Sequence, residues 1–331
     1  MDLDKRLQFY SRGVQFVRDH DADICGFGPG THPSSPTAST HHYSSSPFNV
    51  MTRLGDSGKY GEVYLAKSVY KGKRLEAAMK LMPITYKNKA EVGYYKHFNE
   101  YIKSGKNPHY PLVFHSRTCT MCPFHDRPSD ACYLVLKEVA DGDLKGWLKR
   151  KHSNAAYISL WAQLCISGFG LEQTNMIHND LHWGNVLFHK VNRGNKGKYM
   201  YYNIGKFNIY VKFTSEHWVL WDFGLSVSDN PPYDTSLVED MDRISGMAHW
   251  AEKRHSKDPK KYPKPPPMFT DLCKNIQEYL QYLPHNATYI DFLIELERMF
   301  EPIDKSILLI DPAKPPSSHR IINPTKPYTI A

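Results

Sequence analysis

The chain lacks any run of about 18 or more apolar residues, so a membrane-spanning helix is excluded as an organising element. Its first residues, Met1-Asp2-Leu3-Asp4-Lys5-Arg6, are charged with no apolar core behind them, so a secretory leader is not expected. Cysteine is scarce, with six in 331 residues, which does not suggest a disulfide scaffold and fits a reducing, intracellular setting. No internal repeat and no recognisable nucleic-acid-binding motif occur, so a solenoid is excluded and nucleic acid is not indicated as a partner. The formal charge of +8 is basic without being extreme and reads as solubility and attraction for anions.

What is present is an ordinary apolar content of 41%, enough for one large core or two lobes. Residues 1–47 read as an N-terminal extension. Its first 24 residues carry Leu7, Tyr10, Val14, Phe16 and Val17 at roughly helical spacing. Residues 27–47 are rich in Gly, Pro, Ser, Thr and His and read as loop or disorder. Residues 48–138 read as mainly antiparallel β with one helix, and 144–310 as helical, with Ile158–Gly170 and Tyr289–Phe300 at helical spacing. Pro263 and Pro265 to Pro267 separate helices, and the Pro-rich tail 311–331 should be extended.

Two segments carry chemistry. His178-Asn179-Asp180-Leu181-His182-Trp183-Gly184-Asn185 places an amide five residues after a carboxylate. Trp221-Asp222-Phe223-Gly224 follows the apolar, strand-like run Trp218 to Trp221. Phosphoryl transfer needs one carboxylate near the acceptor hydroxyl, plus an amide and a second carboxylate to hold Mg²⁺ against phosphates. The pair resembles the catalytic loop and metal-binding motif of protein kinases.

The other kinase segments occur in order. Leu54 to Val63 resembles a glycine-rich loop, with Gly55, Gly58 and Gly61, although Gly55 and Gly58 stand one residue further apart than usual. Ala77-Ala78-Met79-Lys80 resembles the strand whose Lys binds the α- and β-phosphates. Ala90-Glu91-Val92 resembles the helix whose Glu pairs with that Lys, with Glu100 the alternative. Tyr133 to Val139 resembles the hinge. The resemblance implies a bilobal α+β kinase fold, lobes 48–138 and 144–310, with ATP bound between them with Mg²⁺. Gly55, Gly58, Gly61, Val63 and Ala78 would line the nucleotide. Leu136 would guard the back pocket, the Lys137 carbonyl and Val139 amide would face adenine, and Asp143 would reach the ribose. Asp180 would orient or deprotonate the acceptor hydroxyl, Asn185 and Asp222 would ligate Mg²⁺, and His182 would touch the γ-phosphate. The substrate would be a protein Ser or Thr, since tyrosine kinases usually carry Ala and Arg after the catalytic Asp.

Some positions depart from the commonest pattern. Asn179 stands where Arg usually precedes the Asp, and His182 where Lys usually follows. This loop resembles haspin-type kinases, and almost as well the Leu-His-Pro-Gly-Asn loop of aminoglycoside and choline kinases. A small-molecule kinase and a pseudokinase scaffold are therefore the rival readings. Asn185 and Asp222 lie 37 apart (222 − 185), so residues 190–217 read as an enlarged hairpin. No Ala-Pro-Glu follows. Asp242, rather than Asp240, is expected to tie down the catalytic loop from a helix. Compactness and divergence loosely resemble kinases of large DNA viruses, which would place the protein in cytoplasm, nucleus or virion.

One cluster stands apart. Cys119, Cys122, His125 and Cys132 could supply four tetrahedral Zn²⁺ ligands, the alternative being buried core cysteines.

Overall fold

The computed structural model describes residues 3–26, 40–41, 47–48, 50–54, 61–120, 122, 131–228, 236–284, 287–323 and 326–330. The chain divides into two compact units. The first is Leu3–Glu100 with Pro111–Val139, the second Tyr101–Tyr110 with Ala140–Ala331.

The first unit begins with α1 (Leu3–Asp19). Its strands are β1 (Thr40–His41), β2 (Val50–Arg53), β3 (Glu62–Tyr70), β4 (Lys73–Pro83), β5 (Val113–Cys119) and β6 (Cys132–Lys137). They form one antiparallel sheet of order β1-β2-β3-β4-β6-β5 among the described residues. Strand β3 shows why: Tyr64, Ala66, Ser68 and Tyr70 are buried while Val63, Leu65 and Lys67 are half-buried and Val69 is exposed. That period of two gives one face to the core. The β3–β4 turn is Lys71-Gly72, with φ of +48° and +70°. Two left-handed central residues match the twist of a tight hairpin, and Gly72 adopts that φ without a Cβ penalty. Helix α2 (Tyr86–Lys103) follows β4, its start capped by Thr85 Oγ1, which accepts from the Asn88 N–H at 3.1 Å. Phe16, Val17 and Ile24 share a core with Phe48, Leu75, Met79, Leu134 and Leu136. The N-terminal helix is therefore built into this unit. Most of the expected loop 27–47 lies outside the described residues.

Two disulfides, Cys25–Cys119 and Cys122–Cys132, overturn the expectation of unpaired cysteines and the zinc reading. Their Cα separations of 5.6 and 6.0 Å fall in the ordinary range for a bridge. The zinc reading fails at Cys119, Cys122 and Cys132 because a zinc site needs free thiolates converging on one point, and these sulfurs are bonded in two separate pairs. His125 lies outside the described residues. Among those described, no group of three or more His, Cys, Asp or Glu could hold a metal. Cys165 and Cys273 are free and buried.

The second unit contains β7 (Gly142–Asp143), α3 (Leu144–Trp147), α4 (Asn154–Glu172), β8 (Met176–Ile177), β9 (Val186–Lys190), β10 (Tyr199–Ile204), β11 (Phe207–Lys212), β12 (Glu216–Leu220) and β13 (Val227–Ser228). Helices α5 (Ser236–Ser245), α6 (Met247–Lys257), α7 (Pro267–Gln281) and α8 (Tyr289–Asp304) precede β14 (Leu308–Ile310) and β15 (Tyr328–Ile330). Helix α4 is buried from Ala156 to Leu171, as expected of a helix apolar on all sides. Helix α8 packs against it and starts with a Thr288/Asp291 capping box. The expected enlarged hairpin is β10–β11, inserted between the paired strands β9 and β12. It forms a separate sheet of order β14-β11-β10-β15. The Pro-rich tail ends as β15, parallel to β10. Among the described residues no helix is long and apolar enough to cross a membrane.

Candidate active site

In the first unit, Lys80 sits on β4 opposite Val63 on β3, and is nearly fully buried. Its Nζ donates to Glu91 Oε1 of α2 at 2.7 Å. Glu91, not Glu100, is thus the partner, and Glu100 is exposed. Ala78 is buried and pairs with Leu65 on one side and Lys137 on the other. Gly61 has φ +147°, and a Cβ there would lie 2.4 Å from the Leu81 carbonyl oxygen, so backbone proximity selects glycine. The Leu54 N–H donates to Val63 O at 2.7 Å, closing the base of the segment between them. Gly55 and Gly58 lie outside the described residues.

Leu136 is buried beside Met79. The Lys137 side chain is buried too, its Nζ donating to Tyr95 OH at 3.0 Å. Val139 is half-buried. Glu138, next to both, is buried and paired with Arg6 of α1: Nε to Oε2 at 3.0 Å and Nη2 to Oε1 at 2.5 Å.

In the second unit, strand pairing brings together residues far apart in sequence. The β9–β12 register places Val186 opposite Leu220, and the Trp221 N–H donates to Asn185 O at 2.9 Å. Asn185 and Asp222 therefore stand at one end of the same ladder, despite the inserted hairpin. Asn185 Nδ2 donates to Asp180 O at 2.9 Å and to Asp180 Oδ2 at 3.2 Å. Asp222 has φ +60° and Asn179 +58°, left-handed conformations that Asp and Asn tolerate better than most residues. His182 Nδ1 accepts from the Gly184 N–H at 2.9 Å, so the neutral ring carries its proton on Nε2, which lies 3.8 Å from Asp180 Oδ2.

The loop is anchored from below. His178 is fully buried, and burial lowers its pKa. Its Nε2 donates to Trp221 O at 2.9 Å, and its ring lies 5.2 Å from that of Phe223. The His178 N–H donates to Asp240 Oδ2 at 3.2 Å, so Asp240 ties down the loop. This corrects the choice of Asp242. The two lie two residues apart on α5, about 200° around the helix, so only one can face the loop. Asp242 is exposed and instead accepts from half-buried Gln277.

These segments are those of one family. A model for protein tyrosine and serine/threonine kinases matches residues 48–238. The chain belongs to the protein kinase family. No curated protein matches it. The kinase architecture is α+β, with a β-rich N-terminal part and a helical C-terminal part, and the family implies phosphotransfer to protein substrates.

Within the kinase, Asp143 caps α3, accepting from the Gly146 N–H at 2.6 Å, which occupies one oxygen of the carboxylate expected at the ribose. Asn179 Nδ2 donates to Leu225 O at 3.2 Å, and Arg243 donates to Asn179 O at 2.7 Å. Sequence reasoning missed the side chains of Tyr95 and Lys137 and the Arg6–Glu138 pair. The Glu91-to-Tyr95 spacing of one helical turn was the available signal for Tyr95. Nothing local marked the other two.

Proposed function

We propose that the chain is a Ser/Thr protein kinase that transfers the γ-phosphate of ATP to protein hydroxyls, with Mg²⁺ as its metal. The observation that carries this reading is the tie between Asp180, Asn185 and Trp221, which would set an acceptor-side carboxylate beside Asn185 and Asp222 as cation ligands. Lys80, held by Glu91, would grip the α- and β-phosphates. Asn185 spends its Nδ2 on Asp180, which leaves its Oδ1, with the Asp222 carboxylate, as oxygen donors that suit a hard cation. Bound Mg²⁺ would neutralise charge on the phosphates. Asp180 would receive or orient the acceptor hydroxyl, and His182 would offer Nε2–H toward phosphate. Gly61, Val63, Ala78, Leu136, the Lys137 carbonyl, the Val139 amide and Asp143 would line the nucleotide, with Gly55 and Gly58 over it.

The Ser/Thr preference rests on Leu181-His182-Trp183-Gly184, which lacks the Ala and Arg usual in tyrosine kinases. We place the kinase domain at 48–310, preceded by residues 1–47 and followed by the tail 311–331. An intracellular location is retained because the reaction consumes ATP. The two disulfides remove its other ground.

The test is incubation of the full chain with labelled ATP and Mg²⁺, with either a protein mixture or an amino-alcohol panel. Label on protein Ser and Thr, lost by at least about 100-fold in Asp180→Asn and Asp222→Asn, is expected. Label on phosphotyrosine overturns the residue preference, and label only on amino alcohols overturns the substrate class. No turnover at all indicates a pseudokinase.

A further inference from the structure

We propose that Tyr95 and Lys137 are positioning residues of the phosphotransfer site that hold Glu91 against Lys80, an inference that rests on the reading of Lys80 given above. Four side chains form one buried chain of hydrogen bonds in the first unit. Lys80, Glu91, Tyr95 and Lys137 are 3, 0, 0 and 1% exposed. Lys80 Nζ donates to Glu91 Oε1 at 2.7 Å, Tyr95 OH donates to the same oxygen at 2.7 Å, and Lys137 Nζ donates to Tyr95 OH at 3.0 Å.

The direction of this chain follows from chemistry. An ammonium has donors only, so the Tyr95 oxygen must accept from Lys137, and its single hydrogen is left for Glu91. Lys137 thereby selects the hydroxyl rotamer that braces the carboxylate. The ammonium also lies 4.6 Å from the centroid of the Tyr95 ring, which holds the ring as well as the hydroxyl.

The placement gives the chain its leverage. Tyr95 is one turn beyond Glu91 on α2, so both occupy the same helix face. Lys137 ends β6 and pairs with Ala78, two residues before Lys80 on β4. The relay therefore ties α2 to β6, the strand paired with the one that carries Lys80, and it fixes the rotamer of a glutamate whose position decides where the Lys80 ammonium lies. A buried ammonium is a costly way to fill space, since an apolar side chain of similar length avoids the desolvation penalty. Its retention in this chain is accounted for by the bracing role.

The experiment is a double-mutant cycle on the full chain, reading phosphotransfer with ATP and Mg²⁺. Tyr95→Phe removes one oxygen and Lys137→Met removes one charge at similar length. Each is expected to lower kcat/KM for ATP about ten-fold in the otherwise natural chain, the scale of one hydrogen bond to a charged group. In a Glu91→Gln background each is expected to cost less than about two-fold, because the group being braced has already changed. A general loss of folding would lower activity equally in both backgrounds, so additive losses overturn the inference, as does a Tyr95→Phe chain with unaltered kcat/KM. Lys80→Met separates the two levels. If it keeps full turnover, the role of Lys80 fails and the positioning inference falls with it. If it is inactive while Tyr95→Phe is unaffected, only the inference fails.

Discussion

Asp240 shows how one buried carboxyl is pulled in two directions. Burial raises its pKa from 3.8 to about 7, against the lowering effect of the His178 N–H, the Arg243 charge and the Leu181 N–H. A folded-state pKa above the unfolded value means that the fold binds the extra proton. The stability this group contributes is complete below about pH 3.8 and is lost as pH rises through about 7. Asp240→Asn carries no such proton. Denaturant titrations from pH 4 to 7 should show the natural chain losing stability relative to Asp240→Asn as pH rises, by up to about 1.4 kcal/mol per pH unit. Parallel profiles would show that the carboxyl stays ionised throughout. Nearby, Asp222 holds φ +60°, which Asn also tolerates, so Asp222→Asn tests ligand chemistry with the backbone conformation kept.

Helix α1 forms where helical spacing was read, but its packing departs from the reading of an N-terminal extension. Its Arg6 is fully buried in a two-bond ion pair with Glu138, whose Oε1 also accepts the Leu112 N–H at 2.9 Å. Arg6→Met would leave that carboxylate buried without its cation, at a cost of about 3–5 kcal/mol. Arg6→Met with Glu138→Gln should recover part of the loss, because the stranded charge is gone, and chemical denaturation of the two variants checks this. An equal loss in both would mean that Arg6 acts through packing alone. The disulfides make a second test of elements. Cys25–Cys119 spans 94 residues and Cys122–Cys132 spans 10. Loop entropy assigns about 4–5 kcal/mol to the first and about 2–3 kcal/mol to the second. Unfolding of Cys25→Ser and Cys122→Ser should rank them in that order, and the reverse ranking would count against the segment after α1 being joined to β5 in the stable fold.

For the molecule as a whole, the prediction concerns regulation. Many kinases order the segment after the metal-binding Asp by pairing an added phosphate with the Arg before the catalytic Asp. That Arg is Asn179 here, and its neutral amide already donates to Leu225 O. Arg243 donates one N–H to the Asn179 carbonyl, and Ser226 Oγ donates to His178 O at 3.1 Å. Asp222 and the loop-anchoring Asp240 lie only 18 apart (240 − 222). The full chain should therefore keep its rate after phosphatase treatment, with Ser226, Ser228, Tyr233, Thr235 and Ser236 shown bare by mass spectrometry. A collapse that returns on rephosphorylation would refute it.

The sequence alone determined what depends on local pattern. The residue types at Lys80, Glu91, Asp180, Asn185 and Asp222 were legible because each sits in a short segment whose chemistry is self-contained, and the helices α4 and α8 were legible from apolar spacing. The enlarged hairpin was read from the wide spacing between Asn185 and Asp222. Tertiary structure decided whatever rests on contact between segments far apart. Asp240 and Asp242 are chemically identical and two residues apart, and only the rotation of α5 chose between them. Cys25 found Cys119 across 94 residues, where a zinc turn had been the nearer grouping. β15 joined β10 although Pro-rich composition alone said only that the tail was extended. Lys137 reads only as a hinge residue with a backbone carbonyl to offer until α2 brings Tyr95 within 3.0 Å of its ammonium. Local propensity and spacing act within about one turn or one strand, whereas burial, disulfide pairing and hydrogen-bond partners are settled when packing brings distant segments into contact.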